Sequence, residues 1–249
     1  MAARNLRRPR ATRKSPAQQR NRQLFGMIPS HLTADELLTT TRAVRKRLDL
    51  NKPVEPQLIR DCIEIALQAP TGGNTQRWHF IAVFDAERRA ALTELYRQAW
   101  KKYRVAPGSV YDLFDKEPAS PRKDQLGRVC ESADYLVDNL ERVPVHVIPC
   151  VPGRLDKLTG QAAIAGLAAI FGSILPATWS FMLAARAHGL GTVWTTAHLS
   201  YEREAAEVLG IPYDEVTQVA LIPTAHYTGN SFSPSLRKPV DEVLHIDGW

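Results

Sequence analysis

The sequence is short of cysteine, of clustered histidine and, at its start, of acid. Only three cysteines occur in 249 residues, Cys62, Cys130 and Cys150, far apart and odd in number. That count excludes a disulfide scaffold, and without C-x-x-C or H-x₃-H spacing there is no zinc signature. The seven histidines are scattered with no H-E-x-x-H pair, so no metal is expected. Residues 1–26 hold no aspartate or glutamate but eight basic side chains. Subtracting those eight from the chain's 32 Lys and Arg leaves 24 basic against 26 acidic residues in the rest. The formal charge of +6 therefore belongs to the N-terminal segment, and the body is slightly acidic. A nucleic-acid partner is not expected.

Residues 1–30 also lack apolar periodicity and contain Pro9, Pro16 and several Gln and Asn. They cannot bury enough surface to offset their ordering entropy and read as a disordered basic arm. No apolar secretory core is present, so a cytoplasmic location is expected. Met27 could itself open a chain, so the arm reads either as a gene-start artefact or as a real flexible extension. Residues 31–249 are expected to form the folded domain, with an ordinary globular composition of 44% hydrophobic and 23% charged residues overall.

The capping-box pattern Thr33-Ala-Asp-Glu36 predicts a first helix running to about Arg47. A second helix is expected after Pro56, with Leu58, Ile59, Cys62, Ile63 and Ala66 on its apolar face. Further helices are expected over 86–105, 122–140, 161–188 and 200–209. Strands are expected over 79–84, 143–150, 190–196 and 216–223, giving an α+β body of about four strands. Residues 106–121, with Pro107, Pro118 and Pro121, read as an irregular excursion. From Gln161 to Ala185 no charge occurs, which is long enough for a membrane span. Gln161, Ser173, Pro176, Thr178 and Ser180 favour a buried central helix at a subunit interface instead, kinked at Pro176, and no membrane association is expected.

Three patches carry recognition chemistry. Thr41-Arg-Ala-Val-Arg45 puts Arg42 and Arg45 three apart, on one face of the expected helix, where they could grip a phosphate. Ala69-Pro-Thr-Gly-Gly-Asn-Thr-Gln-Arg-Trp78 combines glycines that admit close backbone approach with polar Thr71, Asn74 and Gln76. Trp194-Thr195-Thr196 follows Ala187-His-Gly-Leu-Gly-Thr192, which lacks the third glycine of a dinucleotide fingerprint. Arg237-Lys238-Pro239 adds two cations near the end.

In this order, across residues 33–247, the four motifs resemble those of the nitroreductase family of FMN-dependent oxidoreductases. That family's patterns R-R-S-x-R, A-P-S-G-G-N-x-Q-P-W, A-x-G-L-G-T and R-K-P are matched here with Thr41, Ala43, Thr71 and Arg77 as departures. The resemblance implies a nitroreductase-like fold, a central, mostly antiparallel sheet flanked by long helices, in an intertwined homodimer with the flavin at its interface. Carried over by position, it places Arg42, Ala43, Arg45, Thr71, Gly72, Asn74, Trp194, Thr195, Thr196, Arg237 and Lys238 around FMN. Within that set, Arg42 and Arg237 face the phosphate and Arg45 the pyrimidine end of the ring.

It further implies ping-pong hydride transfer from NAD(P)H through flavin N5 to a nitroaromatic, quinone or similar acceptor, with no catalytic side chain. Residues 96–125, including Tyr96, Trp100, Tyr103, Tyr111 and Phe114, would form the lid that selects this acceptor. Alternatives are a specialised branch performing dehalogenation or natural-product oxidation, and a non-catalytic flavin-binding protein. A dehalogenating branch would use a Tyr/Glu/Lys triad such as Tyr103, Glu117 and Lys123.

Overall fold

A computed structural model of the chain describes residues 32–249. The expected arm over residues 1–30 lies outside them.

The first helix, α1 (Ala34–Thr40), is shorter than expected, although its Thr33/Glu36 capping box forms. The hydroxyls of Thr39, Thr40 and Thr41 each bond back to the carbonyl four residues earlier, and Thr41 already has extended dihedrals. A run of β-branched residues with such back-bonding ends a helix readily. The chain beyond instead runs along the sheet: the Val44 amide donates to the Thr192 carbonyl and the Asp49 amide to that of His226. Arg42 and Arg45 therefore do not share a helical face, and the expectation is corrected.

Helix α2 (Pro56–Ala66) starts with proline in its first turn and buries Ile59, Cys62 and Ala66. Strand β1 (His79–Val83), helix α3 (Ala86–Arg104) and helix α5 (Pro121–Asn139) fall where the sequence places them. The stretch expected to be irregular holds a further helix, α4 (Val110–Lys116), nucleated by Ser109, whose hydroxyl accepts from the Asp112 amide. Strand β2 (Val145–Pro152) is buried along almost its whole length. Then come α6 (Gln161–Ala187), β3 (Leu190–Thr192), α7 (Glu202–Leu209), β4 (Val216–Gln218) and β5 (Ile222–His226).

The five strands pair antiparallel in the order β1-β2-β5-β3, with β4 also on β2. The single strand expected over 216–223 is thus two. Between the pairs Cys150–Gln218 and Val147–Ile222, β2 spans two residues while the opposing chain spans three. This bulge lies opposite Pro149, which has no amide to continue the ladder, and its carbonyl accepts from Val219 instead. The extra residue lets Leu221 bridge to Thr195.

Helices pack on both sides of the sheet. One core joins α3, α5 and α7 through Leu92, Leu136, Val137 and Leu209. The other joins α2 and α6 through Ile59, Cys62, Phe181 and Ala185. Arg154, almost fully buried, makes a two-pronged ion pair with Glu202 at 2.8 and 2.9 Å and lies 4.0 Å from the Tyr213 ring centre. It ties the end of β2 to α7.

Helix α6 is long and apolar enough to cross a membrane by length and composition. Its second half is core: Ile174, Ala177, Phe181 and Ala185 are wholly buried. Its first half is not, since no described side chain from 163 to 173 is buried and Ile164 is 64% exposed.

Candidate functional site

The first and third motifs meet in the fold. Gly191 makes this approach possible: a Cβ there would stand 2.9 Å from the Val44 side chain and 3.1 Å from Leu48. Val44 and Leu48 are buried, which turns the residues between and beside them outward. Arg42, Ala43, Arg45, Lys46 and Arg47 consequently line a cleft of about 280 Å³, together with Ser132, Ser231, Phe232 and Ser233.

That cleft is cationic and rich in hydroxyls, with no carboxylate in its lining. Arg42 donates to the Ser233 carbonyl at 3.0 Å and Arg45 to Ser132 Oγ at 3.4 Å. Burial lowers the Arg45 pKa below the usual guanidinium value, and the nearby Tyr96 and Tyr111 hydroxyls oppose that shift. Lys46 is paired with Glu131 at the rim. Such a donor set suits a phosphate-bearing ligand.

Tyr96, on α3, stands near enough to Arg45 to feel its charge and meets the Trp194–Thr196 edge. Its hydroxyl lies 2.6 Å from Thr195 Oγ1, and burial raises its pKa. Trp194, Thr195 and Thr196 line a second cleft of about 350 Å³ with Ala99, Tyr103, Ala197 and Ser200.

The lid residues stack on one another beside it. Trp100 lies 5.0 Å from Tyr103 and 6.1 Å from Tyr111, ring centre to ring centre. Asp134 Oδ1 accepts from Trp100 Nε1, Arg104 and the Tyr111 hydroxyl together. Phe114 packs apart from this stack, against Gly127 and Lys123.

The second motif sits elsewhere. The Gly72 amide donates to Ser173 Oγ on α6, beside the uncovered half of that helix. Gly73, Asn74 and Gln76 all have positive φ, at 59°, 52° and 50°. Two of them are not glycine, so this exposed loop stores backbone strain of the kind found at ligand-binding turns. Thr71 Oγ1 accepts from the Gln76 amide, and Asn74 Oδ1 accepts from Gln76 Nε2.

The last motif lies in the exposed C-terminal arm. Among the described residues Arg237 donates only to the carbonyl of its neighbour Leu236, and Lys238 pairs with Glu242 at 3.3 Å. Within one chain the structure thus unites Arg42, Ala43 and Arg45 with Trp194, Thr195 and Thr196. It does not bring Thr71, Gly72 and Asn74, or Arg237 and Lys238, to them through any of these bonds.

Ser132, Ser231, Phe232 and Ser233 escaped the sequence reading because no local pattern marks them. Tyr96 carried a signal only as one of several lid aromatics. The triad expected of a dehalogenating branch is occupied internally. Lys123 donates to the Glu117 carbonyl, Glu117 pairs with Arg122, and the Tyr103 hydroxyl accepts from the Val110 amide.

Comparison with known proteins bears on the family and the fold. A protein of Archaeoglobus fulgidus named as an NADH dehydrogenase/NAD(P)H nitroreductase is 24% identical over 179 residues, covering 71% of this chain and 76% of the relative. Among solved structures, the FMN and NADPH-dependent nitroreductase NfnB from sphigopyxis sp. strain HMH superposes with a TM-score of 0.57 at 22% identity, covering 88% of this chain and all of that one. Iodotyrosine deiodinase bound to FMN and 3-iodo-L-tyrosine superposes with a TM-score of 0.60 at 16% identity, covering 87% of this chain and all of that one. The fold is therefore nitroreductase-like. The profile of the Nitroreductase family matches residues 38–225, and the chain belongs to that family.

Proposed function

We propose that the protein is an FMN-dependent NAD(P)H oxidoreductase that works as a homodimer. The observation that carries this reading is the cationic cleft of Arg42, Arg45 and Arg47, with Tyr96 near enough to Arg45 to feel its charge and hydrogen-bonded to Thr195. In this reading Arg42 and Arg45 hold the phosphate and the electron-rich edge of the flavin. Ser132, Ser231 and Ser233 supply hydroxyls where Ala43 has none, and Thr195 and Thr196 meet the ring. FMN, when bound, supplies the chemistry, accepting hydride from the nicotinamide and passing electrons to a nitroaromatic, quinone or similar conjugated acceptor. The protein's part is to bind, orient and exclude water, so no side chain needs to act as acid or base.

Two features support a dimer. The first half of α6 exposes Ile164 and leaves Leu167 and Phe171 only partly covered beside the Gly72 loop, so a second protomer seated there would bring Thr71, Gly72 and Asn74 to its own flavin. The C-terminal arm leaves Leu236, Val240, Val243, Leu244 and Ile246 more than half exposed, carrying Arg237 and Lys238 with it. An open groove between α2 and the edge strand β1, lined by Ile63, Leu67, Phe80 and Phe84, offers such an arm a seat. On this view α6 serves as core and interface rather than as a membrane span.

The second cleft, walled by Tyr103 and Trp194 without a free ionic group, favours a neutral planar acceptor over a zwitterionic amino acid. The test is an absorbance spectrum of the purified protein, followed by anaerobic NADPH and then NADH, with sedimentation in parallel. Flavin bands that bleach in a dimeric species are expected. A colourless protein that refuses added FMN would overturn the enzyme reading, and bound flavin that neither nucleotide reduces would leave a binding protein.

A further inference from the structure

The C-terminal arm leaves the body at a cluster that shares Arg47, Ser231 and Phe232 with the lining of the cationic cleft and adds Arg186 and Tyr227 to them. Arg47 Nε and Nη1 donate to the carbonyls of Thr228 and Ser231, both at 2.7 Å, and the Thr228 amide donates back to the Arg47 carbonyl. The same guanidinium lies 4.3 Å from the Phe232 ring centre, and that of Arg186 lies 3.9 Å from it. Arg186 also donates to the Tyr227 hydroxyl, and Tyr227 meets Phe232 edge to face at 4.9 Å.

Neither cation has a carboxylate within ion-pair distance among the described residues. Arg47 Nη2 and Arg186 Nε are buried without a hydrogen-bond partner. Arg186 is only 7% exposed. The buried Arg186 guanidinium and the buried Nη2 of half-buried Arg47 lack an anion among the described residues and depend on ring faces and oxygen acceptors for their stabilisation. Here every such group comes from residues 227–232. The loop is drawn in tightly: Gly229 has φ of 77°, and a Cβ there would stand 3.1 Å from Arg47 Nη2.

We infer that Arg47, Arg186 and Phe232 form a latch that fixes where the C-terminal arm departs. Arg47 and Arg186 are thereby positioning residues for the arm that carries Arg237 and Lys238. The latch closes just before Ser233, whose carbonyl accepts from Arg42. Everything beyond Ser233 is largely exposed and free to reach a neighbour. The consequence for cofactor affinity rests on the FMN reading above, whereas the latch itself does not.

The test compares Phe232→Leu, which keeps an apolar side chain but removes the ring face, with Phe232→Tyr, which keeps the face. Amide hydrogen exchange over residues 228–236 and FMN affinity are measured on the full-length protein. Phe232→Leu should speed exchange about tenfold and weaken FMN by a similar factor, while Phe232→Tyr stays near the wild type. Unchanged exchange in Phe232→Leu, or equal acceleration in both variants, would overturn the latch. Wild-type protein that binds no FMN would sink the cofactor reading alone, because the exchange data still decide the latch.

Discussion

The hydroxyl of Tyr96 and Oγ1 of Thr195 stand 2.6 Å apart, joining helix α3 to the chain that follows β3. Tyr96 is 2% exposed, so this bond is made out of water and holds the Thr195 side chain in one orientation. Tyr96→Phe keeps the packing and removes the bond. It should lower stability by about 1 kcal/mol, read as a shift in urea midpoint. A variant as stable as the wild type would show that Thr195 finds another partner.

Arg45 lines the neighbouring cationic cleft. Arg45→Met removes a charge-assisted contact and should weaken FMN by about 1.5–3 kcal/mol. In a flavin fluorescence titration this corresponds to roughly a 10- to 100-fold rise in Kd. Wild-type affinity in this variant would take Arg45 out of the site.

Gly191→Ala places a methyl group 2.9 Å from the Val44 side chain. Neither Val44 nor the sheet has room to give, so a cost of about 1–3 kcal/mol is expected. The denaturation midpoint measures it. Because Val44 anchors the cationic segment, FMN affinity should fall alongside.

His146 and His198 are wholly buried, and desolvation pushes their pKa values down to about 4 and about 3. In the unfolded chain both take up protons near the ordinary histidine value of about 6.5. Stability is therefore full above that pH and is lost as pH falls below it, because only the unfolded state binds the protons. The loss levels off once the folded-state values are reached. Between pH 6 and 4.5 the slope should approach about 1.4 kcal/mol per pH unit for each residue. Urea titrations at several pH values test this, and His198→Asn should flatten the slope by roughly half.

Much of the frame was legible in the sequence because local signals agree with the packing there. Pro56 opens α2 and the uncharged run from Gln161 marks α6, whereas α4, capped by Ser109, was missed because the prolines around it read as irregular chain. The end of α1 was not legible. The capping box announces only a start, and what stops the helix is the back-bonding of Thr39 to Thr41 together with the docking of Val44 on Thr192. The break between β4 and β5 is set by Pro149, some seventy residues earlier in the chain. Family-like motifs named the candidate residues, but their grouping into separate places depends on tertiary neighbours such as Tyr96 and Ser173. No sequence window contains those pairs.

The half-uncovered α6 has a consequence for handling the protein. In the proposed homodimer, where a second copy would keep that apolar stretch dry, the melting temperature would depend on protein concentration. Mass action adds the free energy of association to that of folding. Each tenfold dilution should then lower the apparent stability by about 1.4 kcal/mol per mole of dimer formed. Dilution alone would act on this molecule as a mild denaturant.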